Sequence, residues 1–124
     1  MRGLAFWFMV FGVASVLVGM GRGIHMAISK DHMLAPAHAH LNLLGFVSFA
    51  IFAFYYHLVP MAAEGWLPRL HFALAVLGLI VGVPGIVLSI NGTTEALAAG
   101  GSIIIVLAML CFFAVVLSGA RRHG

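Results

Sequence analysis

Four long apolar runs, separated by short polar segments, leave this chain very few ways to fold. They cover about residues 4–21, 38–59, 70–90 and 96–118. Each is close to the ~20 residues that a helix needs to cross a bilayer. In hydrocarbon every backbone N–H and C=O must find a partner within the protein, so runs of this length are expected to be helices. The intervening segments are too short to build a soluble domain. Composition points the same way: 64% of residues are hydrophobic and 7% are charged, whereas a soluble domain carries roughly a quarter charged residues. The expected fold is all-α, a four-transmembrane-helix bundle forming one domain over residues 1–124 in a lipid bilayer.

The first run follows Met1-Arg2-Gly3 and is long for a signal-peptide core. No clear small-x-small cleavage site comes after it, so it is read as a transmembrane helix. Ser15, Gly19 and Gly23 recur every four residues, a spacing that lets helices approach closely. Arg22 to Ala37 reads as a polar connection closed by Pro36. The second run stops at Pro60, and Trp66 in the next loop suits an interfacial anchor. Gly78, Gly82, Pro84 and Gly85 mark the third run, where the proline is expected to kink the helix and free a carbonyl.

Charge sets an orientation. Six Lys and Arg against three Asp and Glu give a pI near 9.8, and membrane topology accounts for these cations without nucleic acid as a partner. Arg2, Arg69, Arg121 and Arg122 lie at the termini and second loop; Arg22 and Lys30 lie in the first connection. Both termini are therefore expected in the cytoplasm, in a bacterial or archaeal cytoplasmic membrane. That places His25, His32, His38 and His40 at the outer side, and His57, His71 and His123 at the inner side. The lone Cys111 permits no internal disulfide and no cysteine-based metal site.

The chain has 7 histidines against 6 Lys and Arg. A neutral imidazole in or near hydrocarbon needs a hydrogen-bond partner or a metal to offset its desolvation. On a helix, His38 and His40 lie about 200° apart and face different neighbours. His40 and His57 stand roughly 25 Å apart along one helix and cannot share a metal within a chain. His40 has two readings: an interfacial histidine bonded to a backbone carbonyl, or a ligand to iron. The crowding of four histidines at one rim favours the ligand, with His38 or His25 next in line. Zinc is less suited, because His-x-His diverges on a helix and no cysteine assists. His57 and His71, flanking the short inner loop, suit snorkelling or capping as well as ligation. Phe46, Phe49, Phe52 and Phe54 are either lipid-facing filler or the wall of a flat apolar pocket. A rival class is a copper-binding or metal-transport protein using the outer histidines with Met20, Met26 and Met33, since thioethers favour Cu(I).

His40-Leu41-Asn42-Leu43-Leu44, followed by Tyr55-Tyr56-His57-Leu58-Val59-Pro60, resembles the second helix of the haem-copper oxidase superfamily's catalytic subunit. The nitric oxide reductase branch is the nearest likeness, over about 25 of the 124 residues. The resemblance implies haem b, with His40 as an axial ligand near the outer face, and electron transport or binding and reduction of a diatomic gas. It also implies an electron donor such as quinol or cytochrome c. His38-x-His40 is similar to a His-x-His of the same family that serves two haems. The sequence departs from the family in having four helices rather than about twelve, and no His-His pair to match the family's copper ligands. It resembles one of the three four-helix units in that subunit, so the analogy implies a homotrimer. Geometry separately argues for a homo-oligomer, because a thin four-helix bundle leaves a surface-bound macrocycle facing lipid unless a second copy covers it. Gly19, Gly23, Gly78 and Gly82 are the expected points of close approach between copies.

Overall fold

The computed structural model describes residues 1–123, with side chains through Gly119. It contains four helices: α1 (Gly3–Ser29), α2 (Ala35–Leu58), α3 (Trp66–Ile90) and α4 (Ala96–His123). All four are long and apolar enough to cross a membrane. The side chains of Arg121 and Arg122, which carry part of the charge argument for orientation, and of His123 lie outside the described residues.

Helix α1 is longer than its apolar run. It has 27 residues and therefore extends about 40 Å, beyond the ~30 Å of bilayer hydrocarbon. The expected connection at Arg22–Ala37 is mostly helical, because Ile24, Met26, Ala27 and Ile28 continue the helix and Met26 still packs inward. Lys30 ends it in the left-handed conformation, φ 58°, which lets the chain turn sharply without a glycine. The Asp31 carboxylate then accepts the Met33 N–H at 3.0 Å, and Pro36 sits in the first turn of α2.

Helix α2 is not uniform. Leu41–Val47, directly after His40, forms a π-helical segment before α-helix resumes at Ser48–Leu58. Its wider hydrogen-bond spacing inserts an extra residue and rotates everything downstream relative to the histidines. A short 3₁₀ turn, Pro60–Ala63, and Gly65 at φ 93° bring the chain into α3. Helix α3 continues through Pro84, leaving the Ile80 carbonyl without the amide that would ordinarily meet it.

The helices pack as two hairpins, α1 with α2 and α3 with α4. Small residues set both contacts. A Cβ on Gly19 would collide with the Asn42 side chain, and one on Gly45 would come within 2.6 Å of Ser15. In the second hairpin, a Cβ on Gly85 would lie 2.6 Å from Ala98 N, and one on Gly101 would overlap Gly82. The close approach expected between copies at Gly19, Gly78 and Gly82 is thus spent within the chain. Backbones that nearly touch gain dispersion along both helices, the main source of helix association in lipid.

Gly101→Ala should force α3 and α4 apart and cost about 1–3 kcal/mol, read as a lower unfolding midpoint in detergent. Gly100→Ala is the control, since nothing lies within 4 Å of its Cβ position; it should be neutral or slightly stabilising.

Candidate functional site

Apart from Ser15, whose hydroxyl donates to the Phe11 carbonyl midway along α1, the buried polar side chains that matter here lie toward the two ends of the bundle. Among the described residues, three buried side-chain atoms have no hydrogen-bond partner: His38 Nδ1, Asn42 Oδ1 and His71 Nε2. Two belong to the end where α2 begins, and the third to the end where α3 begins.

At the first end, Leu34, Ala37, His38 and Leu41 of α2 and its approach face Val18 and Arg22 of α1, and Val83, Pro84, Val87 and Leu88 of α3. Together they line a groove of about 430 Å³. The Asn42 amide donates to His38 Nε2 at 3.3 Å, one helical turn away. The same asparagine rests against Gly19, and a Cβ on Gly23 would lie 3.3 Å from the His38 ring. Two glycines of α1 therefore make room for the two polar side chains of α2.

His40 points elsewhere. Its ring is exposed, and Nδ1–H donates to the Pro36 carbonyl at 2.8 Å. The carbonyl bond of the plainer reading exists, yet it accounts for only one nitrogen. With the proton held on Nδ1, Nε2 presents a lone pair outward. A histidine that gives one N–H to a backbone carbonyl and keeps the other nitrogen free has the arrangement metal-ligating histidines commonly show. His25 is exposed on the extended end of α1. Among the described residues, no three of His, Cys, Asp and Glu converge to hold a metal ion. The methionines of the copper reading differ in setting: Met26 is buried, while Met20 and Met33 are 58% and 53% exposed.

The opposite end holds His71, for which the sequence left snorkelling, capping and ligation open. His71 is fully buried, and its Nδ1 is hydrogen-bonded to the Tyr56 hydroxyl at 2.8 Å. Rings from the other three helices surround it: Phe8 with its centroid at 5.0 Å, Phe52 at 4.5 Å and Phe112 at 5.0 Å. His71 is thus neither snorkelling nor capping, although it lies only six residues into α3. His57, on the far side of the connecting turn, is exposed. The phenylalanines of α2 divide between the two roles expected of them: Phe49 and Phe52 join the core, whereas Phe54 is 53% exposed. The signal available in the sequence was the 15-residue spacing between Tyr56 and His71 across a tight turn, which puts both at one depth of adjacent antiparallel helices.

Searches against known protein families, curated proteins and solved structures return no match to the chain. The functional reading therefore rests on the geometry of these residues.

Tyr56→Phe should leave both His71 nitrogens without a partner and destabilise the protein by about 1–3 kcal/mol. His71→Phe in the same background should recover part of that loss, because it removes the stranded imidazole. Unfolding midpoints of the two single variants and the double variant check this, and strictly additive losses would contradict it.

Proposed function

We propose that this chain is a membrane haem b protein in which His40 is an axial ligand and a second copy completes the binding site. The observation that carries the reading is the His40 side chain itself. Its Nδ1 is anchored 2.8 Å from the Pro36 carbonyl, its ring is exposed, and its Nε2 is the nitrogen left free. The donor fits iron in a porphyrin, which needs one or two imidazoles rather than a cluster of three ligands.

The residues around it have divisible roles. Pro36 holds the His40 ring in orientation through its carbonyl, and the first turn of α2 fixes the proline. His38 is the weaker ligand within the chain, because its Nε2 already accepts from Asn42. Arg22 lies at the same end of the bundle and offers a cation to the carboxylates of a macrocycle, while the groove that it lines faces His38 rather than His40. Bound haem would supply a one-electron couple with two imidazoles or, with His40 alone, an iron that takes a diatomic gas. The proposed activity is electron carriage or gas binding, with quinol or cytochrome c as the class of electron donor. Because His40 faces outward, a macrocycle on it would meet lipid or water on one side, and a neighbouring copy supplies both cover and a second imidazole. A homotrimer is the assembly that the resemblance to one third of an oxidase subunit suggests.

The purified protein should show a Soret band that shifts on reduction, and His40→Ala should lose it while still inserting in the membrane. His38→Ala should retain most of the haem. An unchanged spectrum in His40→Ala overturns the ligand assignment, and a haem-loaded monomer by mass in detergent overturns the shared site.

A further inference from the structure

A second cleft, at the end of the bundle remote from His40, has chemistry that haem binding does not use. It lies between the first turns of α1 and α3, beside the Pro60–Ala63 turn, and has a volume of about 540 Å³. Arg2 and Arg69 both line it, and no carboxylate does. Leu4, Trp7 and Phe72 form apolar walls, and the buried Tyr56 contributes to its floor. Trp7 is 51% exposed, so this wall is open toward the surrounding lipid.

The backbone adds to the positive field. Helix α1 starts at this cleft, where Gly3 and Leu4 line it, and it has neither a side-chain cap nor an acidic residue in its first turn. Its first amide groups have no partner within the helix and add partial positive charge to a cleft that the two guanidinium groups line. Two arginines with no counter-ion in the cleft, at the edge of a bilayer, call for an anion. Arginine forks match the oxygens of a phosphate better than a lysine would.

We propose that this cleft binds an anionic glycerophospholipid, its phosphate between Arg2 and Arg69 and the start of an acyl chain along Leu4, Trp7 and Phe72. A lipid satisfies both halves of the cleft. A soluble phosphate would meet the arginines alone and leave the apolar walls idle. Basic pockets between transmembrane helices are recognised sites for acidic headgroups, and an interfacial tryptophan beside the headgroup is at its preferred depth.

The test uses the full chain in a neutral detergent, titrated with phosphatidylglycerol or phosphatidylcholine while the unfolding midpoint is read. Phosphatidylglycerol should raise the midpoint saturably, and phosphatidylcholine should not. Arg2→Gln and Arg69→Gln should each weaken the apparent affinity about fivefold, and the pair about 25-fold. Lys30→Gln, an exposed cation at the other end, should leave it unchanged. An equal response to both lipids, or a phosphatidylglycerol response that survives in the double variant, overturns the proposal. An equal rise with inorganic phosphate alone also overturns it, in favour of a soluble anion. Should the double variant fail to fold, Trp66→Phe leaves Trp7 as the single tryptophan of the chain. Brominated phosphatidylglycerol should then quench Trp7 fluorescence at lower concentration than brominated phosphatidylcholine, and equal quenching refutes the site.

Discussion

All four helices meet at one imidazole. His71 of α3 is boxed by Phe8 of α1, Phe52 and Tyr56 of α2, and Phe112 of α4, and its hydrogen bond to Tyr56 is a buried polar contact that ties the two hairpins together. Much of the remaining contact between the hairpins is made by apolar side chains such as Leu44, Leu79 and Phe112, which in lipid have no hydrophobic preference for each other over acyl chains. A directional bond and a set of edge-on rings therefore do more to fix the relative placement of the hairpins than their apolar area does. The bond also limits sliding: moving α3 by one turn along α2 would strand a phenol and an imidazole in an apolar interior.

Within each hairpin a different constraint applies. Gly82 and Gly101 in one, and Gly19 with Gly45 in the other, let backbones close on partners that a methyl group would displace. Because these glycines are occupied inside the chain, they offer a second copy no close approach. The outward row Ile103, Val106, Leu110, Phe113 and Leu117 of α4 is exposed and wholly apolar. Such a row packs equally well against lipid or another helix, so assembly depends on something more specific. In the haem reading, that specificity comes from the shared macrocycle.

The two ends of the bundle are chemically unlike. Where α2 begins, packing is loose enough to leave a groove, unpaired polar atoms at His38 and Asn42, and an outward His40 directly before a π-helical segment. Where α1 and α3 begin, aromatic rings pack densely and two arginines flank an open cleft. The proposed haem site at the first end and the proposed lipid site at the second stand about 25 Å apart along α2, far enough for each to change without disturbing the other.

The existence and rough placement of four membrane helices were legible in the sequence, as were the stop at Pro60 and the divergence of His38 from His40. Hydropathy adds up residue by residue along one chain, and helical rotation over two residues is a local property. The extension of α1 through Ser29 was hidden because polar residues inside a helix look the same as a loop to a hydropathy sum. The π-helical segment at Leu41–Val47 was hidden too, since LNLLGFV is an ordinary apolar string in sequence, and only in the fold do its Asn42 and Gly45 lie against Gly19 and Ser15. Whether Gly78 and Gly82 faced a second copy or α4 depended on which helix lay opposite. The burial of His71 likewise required three other helices to deliver Phe8, Phe52 and Phe112 to one point. Local sequence determined which segments enter the membrane; only the packing of helix on helix decided which polar side chains were sealed inside it and which, like His40, were left facing out.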